Sequence, residues 1–141
     1  MSEKEMDETF QLEIATPDRL LVRERVTEAE IPAANGYVGI LPQHSPLLAA
    51  LGTGPLWFTT AGGGRKTLVV SGGFLEVQPH HVRVLADRAE QAEEIDLERA
   101  RRALQRAEER LRNPAEKNID IARALNAMHR AQARLEAAKQ R

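Results

Sequence analysis

The chain has 141 residues, enough for one ordinary domain or for a small domain with an appendage. Its 20 basic and 21 acidic side chains leave a formal charge of -1, which gives no reason to expect nucleic-acid binding. The lack of cysteine excludes disulfides and thiolate metal sites. No apolar run approaches the ~20 residues that span a bilayer, and Met1 to Glu8 is unlike a signal peptide. We therefore expect a soluble protein made in the cytoplasm, without direct membrane insertion.

Composition divides the chain near residue 88. All nine glycines and all five aromatic residues precede it, and the last 54 residues contain 13 alanines and 23 charged side chains. Residues 1–87 carry 7 basic and 11 acidic groups, and residues 88–141 carry 13 and 10. Because strand formers and helix formers are segregated, we expect a β + α chain. The predicted domains are an N-terminal β-sandwich at 1–87 and a C-terminal antiparallel two-helix hairpin at 88–141.

The first half reads as short strands separated by turns. Met1 to Thr9 is predicted to be a frayed tail, and Phe10 to Ile14 alternates apolar and polar residues as a half-buried strand does. Strands follow over 20–25 and 27–31, and Pro32 is expected to end the run. Regular short strands of this kind predict a sandwich or flattened barrel.

The most distinctive stretch is residues 36–48, Gly-Tyr-Val-Gly-Ile-Leu-Pro-Gln-His-Ser-Pro-Leu-Leu. Two apolar runs flank a five-residue loop with a proline at each end, and a turn dipeptide, Asn35-Gly36, precedes them. This pattern predicts a strand, a rigid loop and a strand. Within the loop, His44 is expected to order the backbone by a hydrogen bond.

Two glycine clusters follow. Gly62 to Gly64 separates two β-rich runs and predicts a hairpin tip, because no Lys-Ser or Lys-Thr follows in the register of a phosphate-binding loop. Gly72-Gly73 interrupts a strand, which indicates a bulge or a close backbone approach. The last predicted strand runs over 82–87.

The second half has helical periodicity. Apolar residues recur every three or four positions over 95–112, and 113–118 is expected to break the helix at Pro114. Asn118 or Asp120 can cap a second helix that runs to about Lys139. The predicted apolar stripe of this helix is Ile121, Leu125, Met128 and Leu135, with Arg123, Arg130, Arg134 and Arg141 on the opposite side.

The hairpin is expected to be held weakly. Its seam is mostly alanine with a few leucines, so it buries little apolar surface, and isolated helices of this length are marginal in water. An element docked so weakly can be moved by a partner or a ligand.

The string from Gly36 to Leu48, the run Val70 to Val77 and the order of sandwich and helical hairpin resemble the epsilon subunit of F-type ATP synthases. The resemblance covers roughly residues 10–141. It implies a non-catalytic subunit of the central stalk that couples the catalytic head to the proton-translocating rotor during ATP synthesis. The implied partners are the gamma subunit, the membrane c-ring and the alpha and beta subunits. The implied location is the cytoplasmic face of the bacterial inner membrane, as a peripheral part of the complex.

The same resemblance assigns candidate sites. It places Tyr37 and His44 at the contact with the c-ring or gamma, and it implies that the hairpin inhibits ATP hydrolysis by extending toward the head. There Arg123, Arg130 and Arg134 would pair with an acidic segment of the beta subunit. The alternative is that these arginines are ordinary solvated charges.

The segment Ile95-Asp96-Leu97-Glu98-Arg99-Ala100 is similar to the motif with which some bacterial epsilon subunits bind ATP. No cofactor is required, and ATP is expected as a weakly bound regulatory ligand that is not hydrolysed. Asp96 is also a good helix N-cap, which is its structural alternative. The candidate ATP-binding residues are Glu90, Ile95, Asp96, Arg99, Arg106, Arg130 and Arg134.

Other classes of function fit less well. His80 and His81 are adjacent in a turn and would tend to point apart, and the other two histidines are His44 and His129, so neither a metal site nor a catalytic constellation is expected. An RNA-binding protein with a basic hairpin is one alternative, although interleaved glutamates and the absence of aromatic residues in the second half oppose it. A generic adaptor with a basic hairpin is the other.

Overall fold

A computed structural model describes residues 1–113, 115 and 118–141. The first element is a short helix, α1 (Glu3–Glu8), capped by the Ser2 hydroxyl, which accepts a hydrogen bond from the Glu5 amide at 3.2 Å. The prediction of a frayed N-terminal tail is therefore wrong. A serine followed by a run of helix formers is sufficient for one capped turn.

Seven strands form one sheet that closes on itself. They are β1 (Phe10–Ala15), β2 (Leu20–Ala33), β3 (Gly36–Ile40), β4 (Leu47–Ala50), β5 (Thr53–Thr60), β6 (Arg65–Gln78) and β7 (His81–Gln91). The order is β1-β7-β6-β5-β2-β3, and β1 also pairs with β2, so five strands make a flattened barrel. β4 pairs with β6, and β1 runs parallel to β7. The predicted β-sandwich class is confirmed.

The strand limits differ from prediction at two places. β2 continues through Pro32 to Ala33, because Pro32 pairs with Tyr37 of the edge strand β3 and not with a central strand. β7 continues past Asp87 to Gln91, since residues 88–91 keep pairing with β6.

The barrel interior is filled by large aliphatic and aromatic side chains. Alternation along each strand points one residue in two inward. The largest fully buried side chains are Phe10, Phe58, Leu12, Ile14, Ile31, Ile40, Leu56, Leu68 and Leu75.

The glycine pair Gly72-Gly73 marks a corner of β6. Residues before it pair with β5, and residues after it pair with β4. Both glycines have positive φ, and a β-carbon at Gly73 would lie 2.0 Å from the Leu85 carbonyl oxygen. Of the two predicted causes, a bulge or a close backbone approach, the close approach is the one observed. The β6–β7 register stays unbroken across the corner.

The helical hairpin follows a 3₁₀ turn at Ala92–Glu94. It consists of α2 (Leu97–Arg112) and α3 (Ile121–Lys139). Asp96 and Asp120 cap the two helices, each accepting from the backbone amide three residues on at 3.1 Å. The predicted break at 113–118 includes Pro114, Glu116 and Lys117, which lie outside the described residues.

α3 lies between α2 and the barrel. It packs on α2 and on strands β5 and β6. A small cluster joins α3 to the barrel, consisting of Val69, Ile95, Ala133, Ala137 and Ala138, with Leu97 beside it. The hairpin is therefore docked, and its contact with the barrel is made mostly by alanine methyl groups.

The prediction of an apolar stripe on α3 is wrong for its first two residues. Ile121 is 53% exposed and Leu125 is 37% exposed, whereas the buried positions are Ala124, Ala131, Ala133, Ala137 and Ala138. The physical reason is that α3 has two covered faces. Small residues let α2 and the barrel both approach it closely.

Candidate functional site

Charged side chains of α3, paired and unpaired among the described residues, lie close to charged side chains at the end of β7. Arg134 donates through Nε to the Glu90 carboxylate, and both side chains are mostly buried, with 29% and 22% of their surface exposed. A charge-assisted contact of this kind is stronger than a solvated surface pair. It connects the hairpin to the last strand of the barrel.

The end of α3 is held at a second point. Arg141 donates through Nη1 to the backbone carbonyls of Ala92 and Ile95, at 3.2 and 3.0 Å. These carbonyls belong to the connection between β7 and α2. The arginine stripe, predicted to lie opposite the apolar stripe of α3, lies partly against the rest of the protein, since Arg134 and Arg141 both bind groups of the same chain.

A cavity of about 280 Å³ opens between α3 and the barrel. Arg88, Ser71 and Thr53 occupy one cross-strand row beneath it, on β7, β6 and β5. Arg130 and Arg134 close it from α3. The full lining is Thr53, Val69, Val70, Ser71, Arg88, Ala89, Glu90, Arg130 and Arg134.

The pKa of one arginine in this cavity, Arg130, is shifted. Burial and repulsion from the guanidiniums of Arg88 and Arg123 lower the pKa of Arg130. The group still stays charged at neutral pH. The result is a cavity with positive charge that its own residues do not fully balance.

Three of the seven candidate ATP-binding residues meet in this cavity, namely Glu90, Arg130 and Arg134. Ile95 is buried in the cluster under α3. Asp96 caps α2, so its alternative role is the one seen. Arg99 and Arg106 are exposed on α2 and do not line the cavity.

Sequence reasoning missed Arg88, Ser71 and Thr53. They are far apart along the chain and come together only through the pairing of three strands. The one available signal was the weak contrast between hydroxyl or charged residues at these positions and the apolar residues beside them.

The loop at 41–46 is ordered as predicted. His44 donates through Nδ1 to the Ser45 carbonyl oxygen at 2.7 Å, and its backbone amide donates to the Leu41 carbonyl oxygen. Gln43 has a φ of 64°, and its amide donates to the Pro79 carbonyl oxygen at 2.8 Å. These bonds hold His44 at one end of the barrel with its ring partly exposed.

Tyr37 lies on β3, beside β5 and near α3. Its hydroxyl covers Gly54, where a β-carbon would come within 2.5 Å of it. Burial and the carboxylates of Glu30 and Glu136 raise the pKa of Tyr37. One of these carboxylates, Glu136, belongs to α3.

An exposed apolar patch, which the sequence did not reveal, lies on the strands after the glycine corner. Phe74 is 61% exposed, its cross-strand neighbour Leu85 is 53% exposed, and Leu48 on β4 is 73% exposed. Large apolar side chains grouped on a surface mark a contact site more often than isolated ones do.

The described part of the chain contains no group of three or more acidic or histidine side chains that could hold a metal ion. Within the same residues, no helix combines the length and apolar character of a membrane span.

Comparison with known proteins identifies the family. The family model described as "ATP synthase, Delta/Epsilon chain, beta-sandwich domain" matches residues 9–92. A second family model, "ATP synthase, Delta/Epsilon chain, long alpha-helix domain", matches residues 93–139. The ATP synthase epsilon chain of Solibacter usitatus is 56% identical over 110 residues, covering 78% of this chain and 81% of that one. That of Koribacter versatilis is 47% identical over 106 residues, covering 75% and 74%.

Solved structures that resemble this chain also come from ATP synthases. A chain of the Euglena gracilis mitochondrial ATP synthase, in a structure that includes the c-ring, superposes with a TM-score of 0.82 at 26% identity, covering 99% of this chain and 86% of that one. A chain of the Tetrahymena thermophila mitochondrial ATP synthase central stalk and c-ring superposes with a TM-score of 0.55 at 11% identity, which supports the fold alone. Matches over nearly the whole chain, together with this shared architecture, show that the chain belongs to the ATP synthase delta/epsilon chain family.

Proposed function

We propose that this chain works as the epsilon chain in the central stalk of an F-type, proton-translocating ATP synthase. It is a stalk subunit and not a catalytic one. Its partners are the gamma subunit, the c-ring and the alpha and beta subunits. It belongs to a membrane-associated complex, and its place there is the cytoplasmic face of the bacterial inner membrane.

The barrel is the part that binds the stalk. Its patch of Phe74, Leu85 and Leu48 offers apolar surface to gamma, because such groups gain by burial against a partner. The ordered loop with His44 at one end of the barrel faces the c-ring. Tyr37 contributes less to that contact, since its hydroxyl packs over Gly54 near α3.

The hairpin regulates ATP hydrolysis. The single observation that supports this role most directly is the thin docking contact, made of Ala133, Ala137 and Ala138 against Val69 and Ile95. In the docked position Arg134 is bound to Glu90. When the hairpin leaves the barrel, Arg134 is released from Glu90, and the extended hairpin carries Arg123, Arg130 and Arg134 to acidic carboxylates of the beta subunit, so the docked state is the one that permits hydrolysis.

ATP acts as a ligand that holds the docked state. A ligand at ten times its dissociation constant stabilises the form that binds it by about 1.4 kcal/mol. That is comparable to the contribution of a few alanine methyl groups, at ~0.8 kcal/mol for each buried carbon. Nucleotide at such a concentration can therefore decide the position of the hairpin.

The test compares the full chain with a chain ending at Glu94, which keeps all of β7. Both are bound to gamma and added to the ATPase complex. We expect equal binding to gamma, with inhibition of hydrolysis only by the full chain. Equal inhibition by the shortened chain would refute the regulatory role, and failure of both to bind gamma would refute the stalk role.

An Arg123→Gln variant sharpens this test. Arg123 is exposed and binds no group in the docked hairpin among the described residues, so its loss should leave stability within ~0.5 kcal/mol. If it pairs with the beta subunit, inhibition should weaken without any change in docking. The matched control is Arg102→Gln on α2, which removes the same charge from another exposed position.

A further inference from the structure

The connection from β7 to α2 is fastened to the barrel as far as Ile95. The Glu94 carboxylate pairs with the Arg19 guanidinium, in the turn between β1 and β2, at 3.2 Å. Ala92, at the start of the 3₁₀ turn, is fully buried, and the turn packs on β6. Ile95 is 4% exposed, in the same cluster as Val69 of β6. The connection therefore has contacts with the barrel of its own, besides those that α3 makes.

The next residue, Asp96, is the first that belongs to the hairpin. It is exposed, and its carboxylate caps α2 by accepting from the Arg99 amide at 3.1 Å. The backbone of Ile95 and Asp96 is extended, with ψ angles of 123° and 103°. The broad allowed region around these values leaves both torsion angles free to change. The pair Ile95 and Asp96 is therefore the point at which the hairpin can turn away from the barrel.

Arg141, which follows α3, is bound to this hinge. Its Nη1 donates to the Ala92 carbonyl oxygen at 3.2 Å and to the Ile95 carbonyl oxygen at 3.0 Å. One nitrogen with two hydrogens thus joins the two ends of the 3₁₀ turn. Among the described residues, no backbone amide donates to the Ile95 carbonyl, so Arg141 supplies its protein donor. A carbonyl of a buried residue that lost this donor would cost free energy.

Opening of the hinge and release of Arg141 are geometrically linked. The ψ angle of Ile95 is the rotation about its Cα–C bond, and this rotation moves the Ile95 carbonyl oxygen. Turning α2 away through this angle therefore swings the carbonyl away from the guanidinium. Because Arg141 follows directly on α3, departure of α3 removes the donor as well. The two hydrogen bonds exist only while the whole hairpin is docked.

We infer that Arg141 is a positioning residue that latches the hinge at Ile95 and Asp96 and so holds the hairpin in the docked position. The inference deepens the proposed regulation of ATP hydrolysis by the hairpin and rests on it. Loss of this one side chain raises the share of molecules with an undocked hairpin, without any change in the alanine contact under α3.

The experiment uses the full chain bound to gamma and compares wild type with Arg141→Gln. Hydrogen exchange of α3 measures undocking, and inhibition of ATP hydrolysis at a fixed, subsaturating concentration of the chain measures its consequence. Loss of two hydrogen bonds from a charged donor should raise the undocked share, and with it the exchange rate of α3, about tenfold. Inhibition should become stronger, because the undocked hairpin is the inhibiting form. A general loss of structure would weaken inhibition instead.

The matched control is Lys139→Gln, which removes one positive charge from an exposed position at the same end of α3. It should leave exchange and inhibition unchanged. Arg141→Lys keeps the charge but not the planar fork of donors, and we expect it to lie between wild type and Arg141→Gln. The urea midpoint of the barrel should be the same in all four chains.

Dye pairs test the position of the hinge, since the chain has no cysteine. One pair joins Ala61→Cys to Glu93→Cys, before the hinge, and the other joins Ala61→Cys to Gln105→Cys, on α2. All three positions are exposed. Arg141→Gln should change only the distance that includes Gln105. If the distance to Glu93 changes equally, the hinge lies before the 3₁₀ turn and the latch is refuted.

The outcomes keep the latch apart from the proposed function. If α3 of Arg141→Gln exchanges like the wild type, the latch is refuted and regulation by the hairpin is unaffected. If exchange accelerates but inhibition does not strengthen, Arg141 only stabilises the end of α3, and the latch is refuted as well. If the wild type itself does not inhibit hydrolysis, the proposed regulation fails, and the exchange rates still decide whether Arg141 holds the hinge.

Discussion

The interior of the barrel is filled by Phe10, Phe58 and a set of fully buried leucine and isoleucine side chains, whereas the contact under α3 depends on three alanines. Burial of one large side chain contributes about 1.5–3 kcal/mol, and burial of one carbon about 0.8 kcal/mol. The barrel can therefore stay folded while the hairpin leaves it. The difference in residue size separates a permanent structural element from a movable one within the same short chain.

The largest effect is expected in the barrel. Phe58→Ala removes a fully buried aromatic side chain and should lower the free energy of unfolding by about 3–5 kcal/mol. Urea unfolding measures this loss. Because the hairpin docks on β5, the protection of its amides from hydrogen exchange should be lost together with the fold of the barrel. If the hairpin lost its protection from hydrogen exchange while the urea midpoint of the barrel stayed the same, the distinction between a permanent barrel and a movable hairpin would be contradicted.

A substitution under α3 should release the hairpin and leave the barrel folded. Ala137→Leu overfills a fully buried position, at a cost of about 1–3 kcal/mol. The hairpin can avoid this cost by undocking, so we expect α3 to lose protection while the unfolding midpoint of the barrel stays the same.

Since the chain has no cysteine, dyes at Asp18→Cys and Gln105→Cys can report the distance between barrel and α2. Ala122→Leu is the control, because Ala122 is on the same helix and exposed. If both leucine variants changed the dye distance equally, packing under α3 would not be the cause.

A smaller change is expected from the ion pair. Glu90→Gln keeps the shape of the side chain but removes the charge that binds Arg134. Docking should weaken by about 1 kcal/mol, which hydrogen exchange of α3 can measure. Glu93→Gln, in the exposed 3₁₀ turn, should have no effect. An unchanged exchange rate in the Glu90 variant would show that the alanine contact alone holds the hairpin.

The smallest effect concerns Tyr37. Its pKa is raised by burial and by Glu30 and Glu136, so the neutral phenol is the form that the folded chain favours. Its contribution to stability is complete below the ordinary pKa of about 10 and is lost as pH rises through the raised value.

Tyr37 is the single tyrosine, so phenolate absorbance follows it directly. Glu136→Gln should lower the midpoint of this titration, and Glu109→Gln on α2 should not. Identical curves for wild type and Glu136→Gln would mean that α3 does not influence the tyrosine.

Much of the fold follows from local sequence signals. The alternation in β1, the glycine pair at the corner of β6, the caps at Asp96 and Asp120 and the change of period after residue 95 are all local features. The order of barrel and hairpin could therefore be predicted. The second covered face of α3 could not, because alanine is compatible with both a buried and an exposed position.

The site was predictable only in part. Glu90, Arg130 and Arg134 were identified by resemblance, and they do meet in one cavity. Arg88 and Ser71 were not identified, because the strand register that brings them together depends on the closure of the whole barrel. Asp96 caps α2 and Ile95 packs under α3, and the assignment of both residues to the ligand stays a prediction.

The spacing of charges and alanines along α3 also limits how the hairpin can slide. A displacement by one turn, about 5.4 Å, would bring Arg130 to Glu90 and so preserve an ion pair. The same displacement would put the His129 ring where the Ala133 methyl group now contacts the barrel. The small residues thus fix the position of α3 along its own axis. We therefore expect α3 to separate from the barrel as a whole before it takes up another position.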